Sequence, residues 1–577
     1  MAARTCACCL LLPLMLLLLL LLLAGFAAAT PASGVQQDDL VVETRLGKLR
    51  GSVITSRKGR PIYSFRGVRF AKPPIGNLRF QAPQDLDPWT GVVNATEDGN
   101  ACLQPYASTS ITPASEDCLF LNVYTTQLPC SDCEHPNRSV LFFIHPGGWY
   151  EFSAISKVLG PQYLLDQDIV LVTANYRLGA LGLMSTGDGV LKGNYAMKDQ
   201  VAALRWVNEN IDAFGGNPSS VTIAGYSVGG ASVFFHMLSP MTRGLFQRAI
   251  SMSASIDTMW DIDRDPVVKA RKHAELVGCP TGTSQQIADC MREKTAEEIA
   301  YSIDGLAEWG YDPILIYYPV IEPDLNDGSE RYLDQEPYPQ LLSGNFTKVP
   351  WMTGYTKDEF SWKALAVVEN STWANDMYEN FETVAPISFM YERGTERSRN
   401  ISRELKAFYL NNQPITNNSL DGLGKLYADS IICFGEDRAA KIISGISDFP
   451  VYFYRFSYQG RYSFVYYPNT TTPYGVVHHD ELIYLFYLSA LDFPFFQESD
   501  PEIQTLERLT TMWANFVKTG NPIPESSQLL DNVQWPPMKP DNLTYLDIGS
   551  ELQVKQGLYQ DRMEVWDSLF PFSTGGE

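Results

Sequence analysis

Between residues 139 and 255 the chain alternates short, continuous apolar runs with amphipathic stretches, a pattern few architectures can accommodate. Residues 139–144 (Ser-Val-Leu-Phe-Phe-Ile) and 168–173 have the length and branching of strands buried on both faces. From residue 199 to 214 apolar side chains recur at helical spacing (Val201, Leu204, Val207, Ile211, Phe214), and the pattern stops at Gly215-Gly216-Asn217-Pro218. Residues 220–225 form a third strand-like run. Strands separated by helices require right-handed crossovers, so the expected fold is α/β: a large, mostly parallel central sheet with helices on both faces. Further strands are expected at 349–353 and 451–457, and an amphipathic helix at 505–518. At about 150 residues per domain, 577 residues suggest about four domains. With no repeat and no Pro/Gly/Ser linker in the chain, one α/β domain over residues 30–577 is expected instead.

The first residues bear on compartment. Arg4 is followed by a Leu/Ala run from Leu10 to Ala29, with small residues at 27–29 and a polar turn at Thr30-Pro31. This predicts a secretory signal peptide over residues 1–29, removed on export; the competing reading is a retained anchor, since about 20 apolar residues can span a bilayer. No later run is long enough to span, and the tail carries neither a lipid-anchor nor a retention signal, so an extracellular protein without a stable membrane anchor is expected. With 44 Lys+Arg against 66 Asp+Glu the net charge is −22, which argues against a nucleic-acid partner.

Of ten cysteines, three (Cys6, Cys8, Cys9) lie in the leader, leaving an odd seven, so at least one thiol stays unpaired in an oxidising compartment. Cys102/Cys118 and Cys279/Cys290 are short-range candidates for local loops. Cys130-Ser-Asp-Cys133 has half of a zinc site's spacing but no second pair, so no metal is expected; a surface disulfide or two free thiols is the simpler reading. Cys433, in an apolar stretch, reads as a buried free thiol. Glycosylation candidates are Asn94, Asn137, Asn345, Asn370, Asn400, Asn417, Asn469 and Asn542.

The third strand runs into Gly225-Tyr226-Ser227-Val228-Gly229, followed by a helical stretch. A strand that turns this sharply into a helix needs glycine two residues either side of the Ser, and it lifts the hydroxyl clear of the sheet with the helix N-terminus behind it. A serine nucleophile needs a base to take its proton. On such folds the partners follow in the order Ser, acid, His, which removes His135 and His145. His236 falls in the helix after the turn, and His273 in a charged segment expected to be exposed, which leaves His478 and His479. The run 139–144 ends in His145-Pro146-Gly147-Gly148-Trp149, where the N–H groups of Gly147 and Gly148, with that of Val228, could hold an oxyanion.

These motifs, together with residues 70–80 (Phe-Ala-Lys-Pro-Pro-Ile-Gly-Asn-Leu-Arg-Phe), 115–123 (Ser-Glu-Asp-Cys-Leu-Phe-Leu-Asn-Val), Asn175-Tyr176-Arg177-Leu178-Gly179 and Phe214-Gly215-Gly216-Asn217-Pro218, resemble the carboxylesterase/cholinesterase family, most nearly its secreted arthropod esterases. The resemblance covers nearly all of the chain after the leader and implies the α/β-hydrolase fold, Glu359 in Gly354-Tyr355-Thr356-Lys357-Asp358-Glu359 as acid partner of His478, and disulfides Cys102–Cys118 and Cys279–Cys290. Pro146, Tyr226, Val228 and Phe360 depart from the family's usual Gly, Glu, Ala and Gly. Val93 stands where the resemblance places a choline-stacking Trp, so choline esters are not expected to be preferred. The function this implies is a secreted serine carboxylic-ester hydrolase, cleaving apolar, uncharged small-molecule esters through an acyl-enzyme without a cofactor. The alternatives are a catalytically weak or inactive adhesion protein of the same fold, and a lipase. Trp149, Tyr150, Tyr355 and Trp362 are either entrance-lining or core aromatics.

Overall fold

The computed structural model describes residues 40–105, 113–254 and 262–571; the expected signal peptide over residues 1–29 and the tail from residue 572 lie outside them. Among the described residues, eleven strands form one mixed sheet. In spatial order they are Leu552–Gln556, Thr544–Ile548, Val451–Phe456, Trp351–Thr356, Arg248–Met252, Gly216–Tyr226, Arg138–Ile144, Val170–Ala174, Phe120–Thr125, Pro61–Arg69 and Ser52–Thr55. The seven strands from Thr544–Ile548 through Val170–Ala174 are mutually parallel. The edges are antiparallel: three strands on one side and Leu552–Gln556 on the other. The runs expected at 139–144, 168–173, 220–225, 349–353 and 451–457 all lie in the parallel block, where burial on both faces makes a strand apolar throughout.

Successive strand residues point to opposite faces, and the two sets meet different helices. Leu141, Phe143, Ala224, Tyr226, Ile250, Met252, Tyr452 and Tyr454 pack with Leu509, Met512, Trp513 and Phe516 of the helix Ile503–Thr519 in one continuous core. On the other face lies the helix Val228–Leu238, whose Phe234 meets Trp351 edge-on at 5.6 Å and whose Gly230 carbonyl accepts from Ser251 Oγ. The helix expected at 199–214 begins earlier, at Tyr195, and its last turn tightens into a 3-10 turn, Ile211–Phe214, closed by Gly215 at φ 79°.

Disulfides join Cys102 to Cys118, Cys279 to Cys290 and Cys130 to Cys133, and Cys433 is a buried free thiol. Six candidate glycosylation asparagines are exposed, and Asn370 and Asn542 are half-buried with their side-chain oxygens already accepting hydrogen bonds. The expectation that His273 is exposed is wrong. Its helix turns that residue inward, where the ring bonds Tyr317 Oη at 2.5 Å and Ser302 Oγ at 2.7 Å. Arg271, Lys272 and Glu275 point outward, whereas Lys269, one turn earlier on the same face, is carried inward with His273 and pairs with Asp263 at 2.7 Å. No helix among the described residues is long and apolar enough to cross a membrane.

Candidate active site

The strand Gly216–Tyr226 passes into the helix Val228–Leu238 through one residue, Ser227, held at φ 55°, ψ −128°. That conformation is costly for a side-chain-bearing residue and is maintained by its surroundings: the Ser227 N–H donates to Met252 O at 2.8 Å, and its carbonyl accepts from Ala231 N at 2.9 Å. The flanking glycines are required by contact. A Cβ at 225 would stand 2.2 Å from Gly229 O, and one at 229 would stand 2.3 Å from Ile144 O.

Ser227 and His478 both face a cavity of about 510 Å³, together with Gly147, Gly148 and Val228. Gly147 (φ 109°) and Gly148 (φ 62°) turn the chain at the end of Arg138–Ile144. The backbone N–H groups of these two residues and of Val228 donate to no other described residue. His478 Nδ1 meets Glu359 Oε2 at 2.5 Å, while its Nε2 is buried without a hydrogen-bond partner among the described residues. Glu359, wholly buried on the turn after Trp351–Thr356, takes further hydrogen bonds at Oε1 from Thr356 N–H (2.9 Å) and Ser253 Oγ (2.7 Å). The structure therefore brings together all six residues expected at the site.

Of the other histidines, His145 and His236 are buried in the core, and His479 lines the same cavity beside His478. His145 stacks on Tyr176 at 4.2 Å, with burial pushing its pKa down to about 4. His236 bonds Gln200 and Tyr332, and burial lowers it to about 3. His479, buried and beside His478, is held well below the ordinary imidazole range, first by burial and then by its neighbour's charge.

Of the four aromatics singled out above, Tyr150 and Trp362 line the cavity. Trp149 and Tyr355 are core: Trp149 donates to Ser232 Oγ at 3.0 Å, and Tyr355 packs edge-on against Phe453. Phe360 lies over the His478 ring at 4.1 Å, at φ 44° where a glycine would be unstrained. Val93 lies on a three-residue strand, 43% exposed, and is not among the residues that line the cavity. Sequence reasoning missed Glu151, whose half-buried carboxyl is on the wall and is raised by burial to about 7. It also missed Ile431 and Ile432, on a single π-turn, Asp429–Cys433, and Lys363, paired with Asp312 at 2.7 Å. Their cavity neighbours are remote in sequence, so no local signal marks them.

A parallel-centred sheet carrying a Ser at a strained strand-to-helix turn, with a His–Glu pair beside it, defines an α/β hydrolase. The chain belongs to the carboxylesterase family, whose model matches residues 38–566. It is 37% identical to esterase E4 of Myzus persicae over 85% of this chain and 88% of that one. It is 34% identical to juvenile hormone esterase of Tribolium castaneum, over 88% of each, and 33% identical to mouse carboxylesterase 1E over 94% and 96%. Among solved structures, juvenile hormone esterase from Manduca sexta, with OTFP covalently attached, superposes with a TM-score of 0.80 at 26% identity, covering 92% of this chain and all of that one. The protein is a carboxylic ester hydrolase.

Proposed function

We propose that Ser227 attacks the ester carbonyl while His478 Nε2 takes its proton, and that Glu359 orients the imidazole and stabilises its charged form through Nδ1–H. The tetrahedral oxyanion is held by the N–H groups of Gly147, Gly148 and Val228 at the helix N-terminus. Collapse releases the alcohol, protonated by His478. Water, activated by the same imidazole, then attacks the acyl-Ser227 carbonyl and frees the acid. The reading is carried by one observation: Ser227, three N–H groups without acceptors among the described residues and an imidazole anchored by a buried carboxylate share one cavity.

The wall is mostly apolar, with Ile303, Leu315, Ile316, Ile431, Ile432 and Phe360, which supports apolar, uncharged esters as the substrate class. We read residues 30–577 as one catalytic domain, exported by the leader and carrying glycans on some of its exposed asparagines. A serine-reactive organophosphate should label the folded wild type stoichiometrically and Ser227→Ala not at all, and that variant should lose at least about 10³-fold in kcat on short aryl esters. Labelling of Ser227→Ala, or an unlabelled wild type, refutes the assignment. A panel of acyl-chain lengths, including the juvenile hormone named for the Tribolium relative, reports the substrate.

A further inference from the structure

The residue before Ser227 is a tyrosine whose hydroxyl is buried behind the His–Glu pair. Tyr226 Oη lies 2.8 Å from His479 N, 2.9 Å from Ser253 Oγ and 3.0 Å from Glu481 Oε2. Ser253 Oγ lies in turn 2.7 Å from Glu359 Oε1, and the other oxygen of Glu359 holds His478. One oxygen atom thus ties together the nucleophile turn, the end of Arg248–Met252 and the base loop, and reaches the acid turn through Ser253. Ser253 (φ 53°) and His479 (φ 85°) both hold left-handed backbone where they present these groups.

We propose that the Tyr226 hydroxyl positions the acid and base relative to the nucleophile, as the centre of a one-directional hydrogen-bond chain running from a protonated Glu481 through Tyr226 and Ser253 to the Glu359 carboxylate. The inference rests on the Ser227–His478–Glu359 reading above.

The direction follows from counting protons. Tyr226 and Ser253 carry one hydroxyl hydrogen each. If Glu481 were ionised, Tyr226 would give its only proton there. Ser253 could then donate to Tyr226 or to Glu359 but not to both, so one contact would place two lone pairs face to face. With Glu481 protonated every contact is filled. Glu481 donates to Tyr226, Tyr226 donates to Ser253, Ser253 donates to Glu359, and Tyr226 also accepts the His479 N–H. The charge balance agrees. Glu359, Glu436 and Glu481 are all fully buried, and among the described residues no Lys or Arg pairs with any of them. The imidazolium formed in catalysis can neutralise one carboxylate, and His478 is bonded to Glu359. The groups facing Glu481 are Tyr226, Tyr454 (Oη at 3.4 Å), Asp480, Glu359 and Glu436; burial first, and then the Glu359 charge, hold its carboxyl well above the ordinary range.

The test measures kcat, KM and the pH dependence of kcat/KM on a neutral aryl ester for wild type, Tyr226→Phe and Glu481→Gln, with Ser227→Ala alongside. Removing the Tyr226 hydroxyl leaves the His479 N–H and the Glu481 proton without acceptors, so kcat should fall at least about tenfold with KM within about twofold. An amide carries the same charge as a protonated acid. Whatever its rate, Glu481→Gln should therefore keep the acid limb of the profile within about 0.3 pH units of wild type. Wild-type kcat in a folded Tyr226→Phe overturns the positioning role. A larger displacement of the acid limb in Glu481→Gln shows an ionised Glu481 and overturns the chain's direction, and it does so even if the Tyr226 variant fails to fold. An active Ser227→Ala would instead refute the triad, so the two failures are distinct.

Discussion

A methyl group at residue 229 would lie 2.3 Å from the Ile144 carbonyl oxygen, and one at 225 would lie 2.2 Å from the Gly229 carbonyl. Both contacts are with backbone, which cannot rotate away, so Gly229→Ala should push the helix off the sheet. We expect a loss of about 1–3 kcal/mol in thermal or denaturant unfolding. Labelling by the organophosphate should also be lost, because Ser227 and the Val228 N–H move with the helix. These two glycines and Ser227 were legible in the sequence because one turn needs all three within five residues. Glu359 was legible only through family resemblance, since nothing local separates it from the other acids between Ser227 and His478. Ser253, Tyr226 and Glu481 were not legible as a group at all. They meet only because the ends of neighbouring strands and the loops behind them converge on one buried volume.

At the scale of elements, the parallel strands and the helices packed on them were recognisable because their environment writes an apolar pattern into them. The edge strands were not. Leu552–Gln556 buries only its first residue and exists because it pairs with Thr544–Ile548, a long-range condition that its own side chains do not encode. The π-turn Asp429–Cys433 is similar. Asp429 is buried against Arg562 and accepts from Tyr409 Oη at 2.5 Å, while Ile431 and Ile432 project into the cavity wall. Arg562→Ala should leave the Asp429 charge buried and unpaired, destabilising the fold by about 3–5 kcal/mol in denaturant titrations. KM should rise more than kcat falls, because the turn shapes the wall and carries none of the reacting groups.

For the whole molecule, the acidic balance has a consequence for pH. Burial raises the carboxyls of Glu151 and Asp480 to about 7 and that of Asp437 to about 6. For each, the unfolded chain gives up its proton near pH 4 while the folded chain retains it. The stability they contribute is therefore complete below about pH 4 and is lost as pH rises through 6 to 7. The Glu151 carboxyl has no hydrogen-bond or ion-pair partner among the described residues, so Glu151→Gln isolates the effect. Thermal unfolding should show the variant stabilised by about 1 kcal/mol at pH 8, after allowance for its partial exposure, and indistinguishable from wild type near pH 4.

The order of strands and helices through the parallel block, the nucleophile turn and the paired glycines that follow Arg138–Ile144 were determined by the sequence alone. Each is a local device whose side-chain pattern or steric need is complete within a few residues. Which acid lies against which histidine, which aromatics face the cavity and which carboxyls burial raises were decided only in the tertiary structure. Those properties depend on distance and burial, and the fold brings together residues separated by more than a hundred positions, as it does Glu359 and His478. The exposure of Val93 and the burial of His273 show the same division, because a residue's environment is set by what packs against it.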